Sequence, residues 1–273
     1  MSWFTDRHFF LLAVVFYGLS SAYSVFLWRK EFRTDDHVNY FLLLAAFALH
    51  TTAMVKRGFS IAACPVNNLY EATLFIAWTI AAAYLVLGIF HRLRFLGAYA
   101  APVLLAVGIF ALMPSLDVRG PKPDFSNGLA SLHAALVLLA IGSFGFSAVA
   151  ATMFLTQEHD LKFHKLRAIF SLLPPIQRLE RVMNGLLVCG FVLLTAGLAI
   201  SPWLLKQKYG VYFKYDPLLA YSIVIWLFYL LLLCARWKFG PGGRRLAWSA
   251  VGSFAFILLT FWGFMLLSPA HHP

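Results

Sequence analysis

The segment LASLHAALVLLAIGSFGFSAVAATMFLT, residues 129–156, contains no Asp, Glu, Lys or Arg. An apolar run of this length can cross about 30 Å of hydrocarbon as an α-helix. The rest of the chain fits the same environment, because 61% of its 273 residues are hydrophobic and only 12% are charged. These values exclude an ordinary soluble domain and predict an integral membrane protein.

Comparable apolar runs recur on both sides of this segment. The predicted spans are 7–28, 38–55, 69–90, 95–113, 129–156, 183–205, 217–236 and 246–267. The connecting sequences are too short for a soluble domain, so we expect an all-α, polytopic bundle of about eight transmembrane helices. We expect the bundle to form a single domain over residues 1–273. The first run lacks a preceding basic segment and a convincing cleavage site, so we expect it to be a span and not a signal peptide. No internal repeat of the transporter kind is evident.

The basic residues predict how the bundle is oriented. The net charge is +11, but Lys and Arg are spread over several loops, which argues against a nucleic-acid-binding stripe. Only eight of the 22 Lys and Arg lie at the ends of the chain or in the loops after spans two, four and six. The positive-inside rule therefore predicts that both termini lie on the outer side. Because the chain is compact, we expect the membrane to be a bacterial inner membrane. The basic segment 158–181 is expected to lie along the cytoplasmic interface.

Cysteine and histidine are the residue types that could hold a metal or cofactor. Cys64, Cys189 and Cys234 form no Cys-x-x-Cys pair, which argues against a thiol-redox or structural zinc site. His50 lies inside an apolar span and needs a partner. That partner is either a hydrogen-bonding group, such as a hydroxyl or a carbonyl of a neighbouring helix, or a ligand.

Further histidines are predicted to lie at the outer side of the membrane. His133 is near the outer end of span five, and His272 follows span eight. The aromatic loop KYGVYFKYDP, residues 208–217, lies on the same side. Two neutral imidazoles on opposite faces of a porphyrin form a bis-histidine haem site, and aromatic rings would cover the macrocycle. Cations for the haem propionates are available on this side: Arg119, Lys206, Lys208 and Lys214.

The competing interpretation needs no ligand. Tyr and Trp gather at headgroup level as an aromatic belt, and interfacial histidines reach water. Glu71 and Asp216 have a structural explanation of their own. Each begins a span at its outer end, where a carboxylate interacts favourably with the helix dipole.

Two motifs carry a family resemblance that extends from about residue 49 to the C-terminus. Residues 50–78, HTTAMVKRGFSIAACPVNNLYEATLFIAW, contain a His-Thr, an Arg, a Pro-x-x-Asn-x-Tyr-Glu and a Trp. Residues 209–217, YGVYFKYDP, are similar to a W-G-x-x-W-x-W-D-P signature with Tyr or Phe in place of each Trp. The chain therefore resembles the CcsA/ResC-type cytochrome c assembly proteins, which belong with CcmC and the HemX-like proteins to a wider haem-handling group.

The resemblance implies a b-type haem held non-covalently at the outer face, with His133 and His272 as axial ligands. It places the haem platform in the aromatic loop and implies delivery to apocytochrome c with a CcsB/ResB-like membrane partner. A second, intramembrane site at His50 requires Cys234 or another group, because Cys234 stands where the family has its second intramembrane histidine. The platform residues implied are Tyr209, Tyr212, Phe213, Tyr215 and Asp216.

Two alternatives to haem delivery stay open. One is a HemX-like accessory that handles haem or regulates its supply without attaching it to protein. The other is a membrane scaffold with no cofactor. The sequence leaves open whether the protein is an enzyme; at most it forms part of a haem-attachment complex.

Overall fold

The computed structural model describes residues 5–29, 37–61, 68–117, 128–162, 175–213, 217–239 and 243–267. Within these ranges the chain is helical apart from turns and short connections. Short 3₁₀ helices, His91–Leu96 and Pro114–Leu116, flank the fourth α-helix. The α-helices are α1 Asp6–Arg29, α2 His37–Ile61, α3 Leu69–Gly88, α4 Gly97–Ala111, α5 Gly128–Lys162, α6 Ile176–Tyr209, α7 Pro217–Phe239 and α8 Gly243–Leu267.

The helices confirm the predicted polytopic membrane bundle. Helices α1 to α7 each include a stretch long and apolar enough to cross a bilayer. The eighth predicted span coincides with α8, a 25-residue helix that begins with two arginines after Gly243. In α5, 72% of the apolar stretch is buried inside the protein, against 11% in α7. Helix α5 is therefore central and α7 peripheral.

The basic segment 158–181 does not form a separate interfacial helix within the described residues. Its first residues continue α5 to Lys162, and its last residues belong to α6, which begins at Ile176. Leu179 and Met183 are fully buried, so the apolar face of α6 continues into the charged segment and keeps it in the bundle. Pro175 directly precedes the helix, where a missing backbone N–H costs little. Residues 163–174 lie outside the described ranges.

Contacts between helix ends define two faces of the bundle. The start of α1, the end of α2, the start of α3 and the residue after α4 meet through Asp6, Arg57, Glu71 and Asp117. Helix α5 runs parallel to α3, since Gly142 of α5 lies against Thr79 of α3 and Phe146 lies further along against Tyr84. The start of α5 therefore belongs to this same end, which we call the Asp6 face. The opposite end, where Arg244 of α8 meets the end of α5, is the Arg244 face.

The two halves of the bundle repeat the same helix packing. Helices α1 to α4 contact one another in the same pattern as α5 to α8, and α3 packs on α5 to join the halves. Gly18 and Ser20 of α1 recur as Gly145 and Ser147 of α5. The glycines face α4 and α8 respectively, and the serines bond to α2 and α6. The sequence does not reveal this repeat, because a few small and polar residues carry it within runs of interchangeable apolar side chains.

An aromatic and hydroxyl unit also occurs once in each half. In the first half, the indole N–H of Trp78 donates to Thr51 Oγ1 at 2.9 Å, and the Trp78 ring stacks on Phe47 with centroids 5.3 Å apart. The Thr51 hydroxyl in turn donates to the Phe47 carbonyl. In each half, a hydrogen bond from a tryptophan indole to a threonine hydroxyl joins two helices: α3 to α2 in the first half and α7 to α6 in the second. The second unit consists of Trp226, Thr195 and Phe191.

The replacement Trp226→Phe is expected to lower the free energy of unfolding by about 1 kcal/mol. Phenylalanine keeps a ring against Phe191 but cannot donate to Thr195. Thermal and denaturant unfolding in detergent measure the effect, and a cycle with Thr195→Val isolates the hydrogen bond. Trp237 is the matched control, because its side chain is 90% exposed. Equal effects of Trp226→Phe and Trp237→Phe would contradict the prediction.

Candidate functional site

His133 is held in one orientation by a neighbouring helix. It lies near the start of α5, is partly buried, and its Nδ1 lies 2.8 Å from the carbonyl oxygen of Gly197 in α6. A carbonyl only accepts, so Nδ1 carries the proton, and the lone pair of the neutral tautomer is then on Nε2. This is the arrangement in which an imidazole serves as a metal ligand, with its other nitrogen fixed by a hydrogen bond.

Gly197 permits this contact because α5 and α6 approach closely at that point. A Cβ atom added to Gly197 would lie 3.0 Å from Val137 Cγ2, closer than ordinary van der Waals contact. Val137 is one helical turn beyond His133 on the same helix. The glycine therefore sets the spacing at which its own carbonyl reaches the imidazole. Nothing in the sequence motifs identified Gly197.

The aromatic loop begins where α6 ends. Gly210 has φ 74° and its N–H bonds to the Lys206 carbonyl at 2.9 Å, a left-handed helix cap that suits glycine. After the cap, Tyr212 and Phe213 are exposed, Phe213 by 82%. The Lys206 ammonium donates to the Tyr212 hydroxyl and lies 4.3 Å from the centre of its ring. Exposed rings beside a cation fit both a haem platform and an aromatic belt.

Several predicted site residues lie outside the description. These are His272, Tyr215 and Asp216, the cations Arg119 and Lys214, and the side chains of Lys208 and Tyr209. Helix α8, which ends at Leu267, packs against α5, the helix that carries His133. The pairing of His133 with His272 stays a prediction.

His50 is enclosed inside the first half of the bundle. Its ring is fully buried, lies 4.9 Å from the ring of Phe10, and its Nδ1 is 3.1 Å from the Tyr17 hydroxyl. Its Nε2 makes no hydrogen bond of ordinary geometry among the described residues, although the Leu74 backbone of α3 lies near the ring. The partner that the sequence required is therefore a tyrosine of α1, and one ring nitrogen is still left without a bond. An unpaired buried nitrogen is costly and fits either a ligand or a buried water.

Cys234 does not join His50 in the described contacts. Its side chain is exposed on α7, whose described hydrogen bonds and ring contacts are with α5, α6 and α8. The side-chain contacts of His50 are with Tyr17 and Phe10 of α1, and the backbone of Leu74 in α3 also lies near its ring. The described structure therefore provides His50 with no second haem ligand.

A cluster of charged residues closes the Asp6 face of the first half, and sequence reasoning missed it. Arg57 is 5% exposed and contacts three carboxylates. Its Nε donates to Glu71 Oε1 at 2.8 Å, its Nη2 to Asp117 Oδ1 at 2.6 Å, and its Nη1 to Asp6 Oδ2 at 3.4 Å. Arg7 adds a contact to Asp117 at 3.3 Å. The cluster ties together all four helices of this half.

Glu71 therefore does more than interact with the helix dipole. The cap of α3 is Asn68, whose side-chain oxygen accepts from the Glu71 backbone N–H at 2.9 Å. The Asn68 amide donates to Asp117 at 2.9 Å. The signal in the sequence was available, because Asp6, Arg57, Glu71 and Asp117 all stand at span ends that alternation places on one side. It did not show that they converge on one guanidinium.

Comparisons with known proteins agree with the resemblance seen in the motifs. The family model described as "Cytochrome C assembly protein" matches residues 66–272. The chain is 25% identical to the cytochrome c biogenesis protein CcsA of Prochlorococcus marinus strain NATL2A, covering 94% of this chain and 91% of the relative. It is 23% identical to CcsA of Trieres chinensis, covering 96% and 92%. CcsA of Gloeobacter violaceus is 23% identical over 76% of this chain and 77% of its own length. The chain is a divergent multi-pass member of the cytochrome c assembly protein family.

Proposed function

We propose that this protein serves cytochrome c biogenesis by holding a b-type haem at its Asp6 face for delivery to apocytochrome c. The observation that carries the proposal is the hydrogen bond from His133 Nδ1 to Gly197, which leaves Nε2 with the lone pair that haem iron accepts. The relatives named CcsA support the biological role.

The described residues at this face fit a haem. His133 supplies one axial nitrogen, and His272 supplies the second in this proposal. The exposed rings of Tyr212 and Phe213 offer apolar surface to the macrocycle, and Lys206 offers a cation to a propionate. The other proposed platform residues are Tyr209, Tyr215 and Asp216. Bound haem supplies vinyl groups, to which the thiols of an apocytochrome Cys-x-x-Cys-His motif add.

The charges support the proposed orientation. Most basic residues of the described ranges lie at or near the Arg244 face, including Arg236, Lys238, Arg244 and Arg245, so this face is cytoplasmic in our proposal and the Asp6 face is outside. In a bacterial inner membrane both termini are then periplasmic. A CcsB/ResB-like membrane protein is the proposed partner in haem attachment.

His50 favours a second candidate function. In the described structure its ring is buried with an unpaired Nε2, and Cys234 does not reach it. A protein with the outer site but without a complete inner site could bind haem and regulate its supply without ligation, as a HemX-like accessory.

Two measurements separate these functions. Absorbance spectra and a pyridine haemochrome assay on the purified protein report bound b-type haem. Covalent haem on a reporter apocytochrome c, in a host that lacks its own assembly system and expresses a ResB-like partner, reports attachment. Bound haem with attachment supports delivery, and bound haem without attachment supports the accessory function. A protein that stays colourless when haem is abundant contradicts both.

A further inference from the structure

A cleft on the Arg244 face lies far from both histidine sites. It has a volume of about 310 Å³ and lies between the end of α5 and the start of α8. Its lining combines basic and apolar side chains. The lining residues are Leu155, Glu158, His159, Lys162, Arg244 and Trp248.

We propose that this cleft binds the headgroup of an anionic phospholipid. Basic pockets between transmembrane helices on the cytoplasmic side bind acidic lipid headgroups. Here the phosphodiester lies against Arg244 and Lys162, and the first part of an acyl chain lies on Leu155 and Trp248. The proposal does not depend on haem binding.

The charges in the cleft match a single phosphodiester. Arg244 and Lys162 are cationic, and Glu158 is the one carboxylate among the lining residues. The Arg244 guanidinium lies 3.7 Å from Glu158, and its side chain stays 60% exposed, so its remaining donors are open to a second acceptor. An arginine fork suits phosphate oxygens in a bidentate contact. The His159 side chain is 59% exposed and lies 3.7 Å from Asp160. The charges of Arg244, Lys162 and Glu158 sum to one net positive charge.

The apolar part of the cleft matches the depth of a lipid. Trp248 is 60% exposed one helical turn from Arg244, as expected for an indole at headgroup level. Leu155 lies one turn of α5 before Glu158 and His159, on the side toward the middle of the membrane. Gly243 allows α8 to begin close to α5, because a Cβ at that position would lie 2.7 Å from Phe154. The volume suits a headgroup and the beginning of a chain, since small-molecule pockets begin near 300 Å³.

Native mass spectrometry of the detergent-purified full chain tests the proposal with phosphatidylglycerol and phosphatidylcholine of identical acyl chains. We expect phosphatidylglycerol to bind more tightly and to raise the melting temperature. Arg244→Gln should weaken phosphatidylglycerol binding about fivefold, which is the effect of one basic residue at a lipid surface. Glu158→Gln should strengthen it, because it removes a like charge from the cleft.

Arg245→Gln is the matched control, since Arg245 is exposed on the same helix turn and does not line the cleft. Equal weakening by both arginine variants would show diffuse attraction to the surface and overturn the proposal. Equal binding of phosphatidylcholine would overturn it as well, as would displacement of the lipid by stoichiometric haem. If Arg244→Gln lowers the melting temperature of the lipid-free protein, Lys162→Gln provides the second test with the same expected loss.

Discussion

Replacing Arg57 by Leu is expected to destabilise the protein by about 3–5 kcal/mol, the cost of removing one partner from a buried ion pair. The side chains of Arg57 and Glu71 are 6% and 2% exposed. Without the guanidinium, Glu71 loses its ion pair with Arg57 in a buried site, whereas Asp117 keeps its contact with Arg7. The free energy of unfolding in detergent, from denaturant titration followed by tryptophan fluorescence, measures the loss.

Arg181→Leu is the matched control for this experiment. It makes the same chemical change on an exposed side chain of α6, where the expected effect is within about 0.5 kcal/mol. Glu71→Gln should cost less than Arg57→Leu, because it leaves Arg57 with Asp6 and Asp117 and keeps an oxygen that can accept from Nε. A loss for Arg57→Leu no larger than for Arg181→Leu would mean that the cluster contributes little to stability.

The charged cluster around Arg57 also affects where a ligand can approach the protein. The Asp6 face of the first half is closed by a guanidinium bound to three carboxylates. In the second half, α5 and α6 meet at this face through His133 and Gly197. The repeated packing therefore carries different chemistry in each half: a charged closure in the first and an oriented imidazole in the second. This difference supports our proposal of a haem site on the second half.

The sequence predicted the helices well, because a helix that crosses a membrane requires a long apolar run and such runs are easy to recognise in a sequence. It also predicted that His133 lies near one end of the bundle, since depth follows from position along a span. The rotation of each helix about its axis was not predictable. That rotation decides whether His50 meets Tyr17 or Cys234, and whether Glu71 points to water or to Arg57. In runs of Leu, Ala and Val all faces of a helix are similarly apolar. Helix α5 is an example, so its sequence does not show which face is buried.

His133→Ala is expected to remove at least nine-tenths of the haem that the proposed outer site holds, because an iron with one remaining axial histidine binds far more weakly. The Soret absorbance per mole of purified protein measures the loss. His159→Ala is the matched control, since His159 is an exposed histidine of the same helix at the Arg244 face, and it should leave the spectrum unchanged. Unchanged haem content in His133→Ala, with an unchanged melting temperature, would sink the assignment of this ligand.

Gly197→Val separates the role of the imidazole from the role of its hydrogen bond. The added side chain meets Val137 and forces α6 away, so the Gly197 carbonyl no longer fixes Nδ1 of His133. Because the ligand nitrogen is still present, we expect haem to remain but with a shifted absorbance maximum and a changed reduction potential. Added imidazole should restore haem to His133→Gly and leave the Gly197→Val spectrum as it is. A Gly197→Val protein with the wild-type spectrum and potential would show that Nδ1 of His133 needs no fixed partner. The Gly197 hydrogen bond would then no longer support His133 Nε2 as the haem ligand.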